Sequence, residues 1–170
     1  MPLQKQIHLY VAPGVAGDKA TPDQSVYTPL NPLAEAALPV GGFVFPVIED
    51  GVRDNSRATN VAGTATEVLG FVERVINYVN CDVFSPGTLM VPKGAALTVA
   101  VRGDYWAVSS TAATVGQAVL ASTADGSVST GTADATHLDT GWIVKTAGAA
   151  GEPIIISNWN STVKPAPAAA

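Results

Sequence analysis

Apolar and polar positions alternate in short runs between residues 38 and 160, and turn residues punctuate them every few positions. This two-residue period predicts β-strands whose alternate side chains face a core. LPVGGFVFPVIED (38–50) places a strand at 42–48, with Pro46 marking an edge or a bend. LTVAVRG (97–103) and DYWAVSS (104–110) alternate on either side of Gly103-Asp104, the pattern of a compact hairpin. AATVGQAVLASTADGSVS (112–129) predicts a strand at 117–122, a turn at Asp125-Gly126 and a return strand at 127–130. GWIVKTAGAAGEPIIISNW (141–159) predicts two more strands around Gly148 to Gly151. RDNSRATNVAGT (53–64) and GTADATHLDT (131–140) read as polar loops, and Ser-Pro-Gly and Pro-Lys-Gly (85–87, 92–94) as turns.

One run fits two templates. In ATEVLGFVERVINYVN (65–80), Val68, Phe71, Val72, Val75, Ile76 and Val79 also fall at helical spacing. Its β-branched richness and Gly70 favour a strand. The sum is seven to nine short strands and no clear helix. The expected fold is all-β: a single β-sandwich or barrel, jelly-roll-like, of short antiparallel strands spanning 38–160.

The two ends differ. Across residues 1–37, Pro2, Pro13, Pro22, Pro29 and Pro32 forbid an uninterrupted helix or central strand. Ile7, Leu9, Tyr10, Val11, Val26, Tyr27, Leu30 and Leu33 nevertheless keep the segment adhesive. It is either an extended arm for a neighbour's surface, with a reach on the order of 100 Å, or an irregular lead-in wrapped on its own barrel. As an arm, its partner-binding candidates are Ile7, Leu9, Tyr10, Val11, Val26, Tyr27 and Leu30. The first four form an alternating patch able to add to a neighbour's sheet edge. The Pro-Ala tail, 161–170, has nothing to bury and is expected to be flexible.

Composition narrows the function. Charged residues are only 14% of the 170, against an ordinary share of about 25%. A surface of Ala, Thr, Ser, Gly and Val loses little side-chain entropy on association, which favours an assembly subunit. The net charge of −5, with nine scattered basic residues, opposes nucleic-acid binding. No run approaches the ~20 apolar residues of a membrane span, and MPLQKQIHLYVAPG lacks the apolar core of a signal peptide. With the single cysteine Cys81, the expectation is a soluble chain made in a reducing cytoplasm, without an intrachain disulfide.

Candidate chemistry is sparse, and neither an enzyme nor a cofactor is expected. No nucleophile elbow, phosphate loop, metalloprotease helix or EF-hand is present. Cys81 lies between Asn80 and Asp82, which disfavour a thiolate. His137 and Asp139 share a polar loop, and EDGVRDN (49–55) gathers oxygens around Gly51 but places Arg53 among them. Trp106, Trp142 and Trp159 each sit in or at the end of an apolar strand, suited to a core or an interface more than to a sugar site.

Four stretches carry a resemblance: PGVAGDKATPD (13–23), VLGFVERV (68–75), residues 91–130 with the Val101 to Ala107 step and the Thr-Val-Gly step before a Gly turn, and GWIVKTAGAAGEPIIIS (141–157). Together they resemble the capsid cement, or head decoration, proteins of tailed bacteriophages. The resemblance covers most of 13–157; residues 24–37 and the tail match nothing in that pattern. It implies a non-enzymatic virion protein on the outer surface of an icosahedral head, assembled in the host bacterial cytoplasm. It would bind the major capsid protein at capsomer junctions and itself as a dimer or trimer, with no nucleic-acid or membrane partner. The competing class is a phage tail, baseplate or fibre module that contacts the host or other virion proteins.

Overall fold

The computed structural model describes residues 14–75 and 90–159. Thirteen strands occur among them and no helix. In chain order they are β1 Val26–Tyr27, β2 Leu33–Ala34, β3 Leu38–Pro39, β4 Phe43–Glu49, β5 Val52–Thr59, β6 Gly70–Val72, β7 Met90–Val91, β8 Val99–Arg102, β9 Asp104–Val108, β10 Ala118–Ser122, β11 Val128–Thr130, β12 His137–Val144 and β13 Pro153–Ser157. They form a six-stranded sheet in the order β1-β8-β6-β4-β5-β2, a five-stranded sheet in the order β11-β10-β12-β13-β9, and the pair β3-β7. The fold is all-β, as expected, and each large sheet curls.

Strand alternation explains how the six-stranded sheet is buried on both faces. Phe43, Phe45, Phe71 and Ala100 point into a core shared with the five-stranded sheet. Their neighbours Val44, Val72 and Val99 point into a second core with Leu38, Val91 and Leu97. The shared core centres on four rings, two from each sheet. Phe71 lies 5.3 Å from Phe43, 5.4 Å from Tyr105 and 5.8 Å from Trp142, centroid to centroid. Phe43 and Trp142 meet nearly edge to face at 6.1 Å, a favoured arrangement for ring quadrupoles.

The segment before β3 closes the six-stranded curl. Val26 and Tyr27 pair with Arg102 and Ala100. Further along, Thr28 N–H donates to the Val99 carbonyl, Leu97 N–H to Pro32 and Ala34 N–H to Ala95. Pro29 and Pro32 interrupt this antiparallel track without ending it, because neither needs a donor there. Leu33 and Ala34 then pair in parallel with Arg57 and Ala58 of β5. Residues 26–34 thus act as a strap joining the two edges of one sheet. The five-stranded sheet closes similarly: Ser109 bridges Val128, and Ser110 N–H donates to the Val128 carbonyl at 2.9 Å.

Several elements differ from the sequence expectation. Residues 53–64 are not simply a polar loop, because β5 occupies 52–59. Asp50 and Gly51 both take positive φ, 51° and 76°, the geometry of a type I′ hairpin turn joining β4 to β5. The polar residues of β5 face solvent, and Ala58 is its fully buried position. Between Pro46↔Ala58 and Val47↔Asp54 the register slips, so residues 55–57 bulge outward. The expected loop 131–140 gives up 137–140 to β12, where a bulge at Thr140-Gly141 precedes Trp142. In the 65–80 run the strand is limited to β6 among the described residues.

The expected 97–110 hairpin is not a hairpin. β8 pairs with β6 and β1, whereas β9 pairs with β13 in the other sheet. Gly103, with φ 149°, is the corner where the chain leaves one sheet for the other. A Cβ there would lie 2.6 Å from the Tyr105 ring. The Asp125-Gly126 turn also links the sheets, since Phe43 N–H donates to the Gly126 carbonyl at 2.8 Å. A Cβ on Gly126 would collide with the Phe43 carbonyl.

Replacing Trp142, only 2% exposed, with alanine should cost about 3–5 kcal/mol, as truncating a buried aromatic does. Chemical denaturation of Trp142→Ala checks this, and a loss under 1 kcal/mol would show that the two sheets do not depend on the ring cluster.

Candidate docking surface

Of the seven expected arm contacts, Ile7, Leu9, Tyr10 and Val11 lie outside the described residues, as do Cys81 and the 161–170 tail. Val26, Tyr27 and Leu30 lie on the strap. Val26 and Leu30 are 44% and 55% exposed, while Tyr27 is half-buried and packs against the shared core. The three tryptophans take three different positions. Trp142 is core, Trp106 is half-buried, and Trp159 is 41% exposed.

Ahead of the strap, residues 14–20 lie along β9. Gly17 N–H donates to the Trp106 carbonyl at 2.8 Å, Trp106 N–H to Asp18 at 2.9 Å, and Ala20 N–H to Asp104 at 2.9 Å. Gly14 sits so close to the Trp106 indole that a Cβ would overlap the ring. Asp18 pairs with Arg74 at 2.9 Å. The small residues of the Gly-Val-Ala-Gly stretch therefore have a steric reason: backbone runs here where side chains would not fit.

Behind this segment lies a buried polar group, Glu73, 9% exposed. It accepts the Tyr105 hydroxyl at 3.0 Å and meets the Lys19 ammonium at 3.8 Å. Burial, before any neighbour, pushes the Tyr105 phenol far above its ordinary range. Lys19 is held above its ordinary value first by the Tyr27 hydroxyl and then by Glu73, against partial burial. A buried carboxyl is costly unless its oxygens are hydrogen-bonded or paired. Its role here is to fasten the lead-in segment to the ring cluster.

The strand register and the Asn158 hydrogen bonds bring two stretches that carry expected contact residues to the Gly103 corner. Val26 is the cross-strand partner of Arg102, the last residue before the Gly103 corner. On the other flank, Asn158 Nδ2 donates to the Val101 carbonyl at 2.8 Å and Asn158 N–H to the Gly103 carbonyl at 3.3 Å. Trp159 follows directly. The corner thus has Val26 paired across from the exposed Arg102, and the exposed Trp159 next in sequence to Asn158, which bonds the residues on either side of Arg102. Arg102 was not singled out by the sequence, where nine scattered cations look alike.

Elsewhere the candidate chemistry disperses. His137 Nδ1 lies 3.1 Å from Asp134, while Asp139 accepts the Gly141 N–H. Around Gly51, Glu49 and Asp54 turn to Arg57 at 2.7 and 2.8 Å. Among the described residues no three His, Cys, Asp or Glu side chains gather as metal ligands. A shallow cleft lined by Thr66, Glu67, Val68, Asp139, Thr140 and Gly141 lies beside the β12 bulge.

The loops share one device. Asp54, Asp125 and Asp134 each accept, on one carboxylate oxygen, both the N–H and the hydroxyl of the Ser or Thr two residues on. Such turns fix the backbone with a short side chain. Bonds from Ser56 and then Arg57 hold Asp54 at about 2, and bonds from Thr136 and then His137 hold Asp134 at about 2. For Asp125 burial pushes upward, but the Ser127 bonds outweigh it and the group ends below its usual value.

Closed sheets, stapled turns and a close-packed corner define an all-β module. The model of the structural cement protein family (E217 gp24/Pam3 gp6) matches residues 3–158, and the chain belongs to that family: it is a capsid-stabilising structural protein of phage. No curated protein matches the sequence. Among solved structures, the chain is similar to one in the capsid of Myoviridae Phage XM1, at 15% identity and a TM-score of 0.62, covering 93% of this chain and 98% of that one. That similarity shows a shared fold. The N base of head fiber gp8.5 in bacteriophage phi29 matches with a TM-score of 0.39 and 11% identity, over 74% of this chain and 88% of that one.

Because Asp54 and Asp134 titrate below the ordinary 3.8 when folded, their turns are fully stabilised above about pH 4 and lose that stabilisation as the pH falls toward 2. Hydrogen exchange at the Ser56 and Thr136 amides, corrected for intrinsic rate, should show protection at pH 5 that falls by about half as the pH reaches about 2. Asp54→Asn and Asp134→Asn should flatten the pH response of their own turns, and unaltered titration in both variants would refute the assignment.

Proposed function

We propose that this chain binds the outer surface of an icosahedral phage head at junctions between capsomers, stiffening the shell against internal DNA pressure without catalysing a reaction. The observation that carries the reading is the match to the cement family over residues 3–158. The low charge supports it, because docking short side chains freezes few rotamers. A subunit that binds only where neighbouring capsomers meet stabilises the assembled shell over free capsid protein by mass action.

The N-terminal arm, expected over residues 1–37, adds reach in this reading. Once the β-body docks, a tethered segment binds at high effective concentration and raises avidity without a larger footprint. Ile7, Leu9, Tyr10 and Val11 are its anchors, adding as a strand to an edge of the shell or of a sister subunit in a dimer or trimer. With a net charge of −5, the protein is expected to make no contact with the packaged nucleic acid.

Quantitative mass spectrometry of purified virions should find hundreds of copies per particle; a handful would indicate a tail component and refute the reading. Deleting residues 1–12 should reduce head occupancy at least tenfold at limiting protein, and unchanged occupancy would remove the arm from the mechanism.

A further inference from the structure

Arg53, Arg57 and Arg74 are each committed to an acidic neighbour, at 2.9, 2.7 and 2.9 Å respectively. Arg102 is the described arginine in no ion pair, although the chain carries an excess of carboxylates. It is exposed. Its β1 partner Val26 is 44% exposed, and Trp159, at the other flank of the same corner, is 41% exposed. Arginine and tryptophan are the residues most enriched at the energetic centres of protein interfaces, and lysine is depleted there.

The corner is also rigid. The backbone on both sides of Arg102 is held by the Asn158 side chain and N–H. Gly103 is packed so closely that a Cβ would meet Tyr105 and the Ser25 hydroxyl. Holding the anchors in place before binding reduces the ordering cost of association.

We propose that the Val26–Arg102–Trp159 corner is the body's docking contact with the shell, and that its occupant is a shell-protein carboxylate flanked by apolar surface. The proposal rests on the cement reading above. Charge complementarity selects this occupant: the guanidinium matches a carboxylate in two-point geometry, and Val26 and Trp159 match an apolar surround. A phosphate backbone fits poorly, since a single cation in a chain of net charge −5 cannot hold a polyanion.

The test uses the full chain and heads assembled without it. Arg102→Glu and Trp159→Ala should each weaken head binding at least tenfold while far-ultraviolet circular dichroism and thermal midpoint stay unchanged. Wild-type binding should fall as salt rises from 50 to 300 mM, and binding of Arg102→Leu should be less salt-sensitive. Amidating the carboxylates of bare heads should erase the difference between wild type and Arg102→Leu. If wild type binds heads and both variants bind equally well, the corner is not the contact and the cement reading stands. If Arg102→Glu changes only self-association, the occupant is a second copy and the proposal fails. If wild type does not bind heads at all, the cement reading itself fails.

Discussion

The contact among Phe43, Phe71, Tyr105 and Trp142 is the constraint around which the rest of the molecule is arranged. Each sheet is a curl of short strands, many of only two to five residues, and such strands have little stability alone. Their apolar faces must be buried against something. The four rings supply that surface at the junction of the curls, two from each side. The tight features follow from this. Gly126 lets the β10–β11 turn reach Phe43, Gly103 lets the chain swing past Tyr105, and the Thr140-Gly141 bulge precedes the inward-facing Trp142.

The strap is the second consequence. A six-stranded sheet buried on both faces still has two edges, and an unpaired edge invites unwanted pairing with other chains. Residues 26–34 connect those edges by running beside 95–102 and then beside β5. Closure leaves fewer unpaired main-chain groups along these edges.

The polar residues serve the same end. Three Asp-x-Ser/Thr turns fix loops with short side chains, so the surface is rigid without being highly charged. Glu73 is the exception, a buried acidic side chain placed where the lead-in segment crosses the ring cluster, accepting the Tyr105 hydroxyl and facing the Lys19 ammonium.

Strand content, the Asp125-Gly126 turn and the β10–β11 pairing were legible in the sequence, because they depend on periodicity and turn chemistry within about fifteen residues. Membership of the cement family was legible too, through short Gly- and Val-rich stretches whose sterics the fold explains. What lay beyond local pattern was which strands pair. β5 looks like a loop because only Ala58 need be buried and its other residues face water. Gly103 looks like a hairpin turn because nothing near it reports that β8 and β9 belong to different sheets. Arg102 looks like any other cation until Val26, from the strap, is paired across from it and Asn158, from the far end of the chain, bonds the residues on either side of it. Those relations span tens of residues. They are fixed by the burial of four rings and by backbone hydrogen bonds that must be satisfied somewhere, so tertiary structure alone decided them.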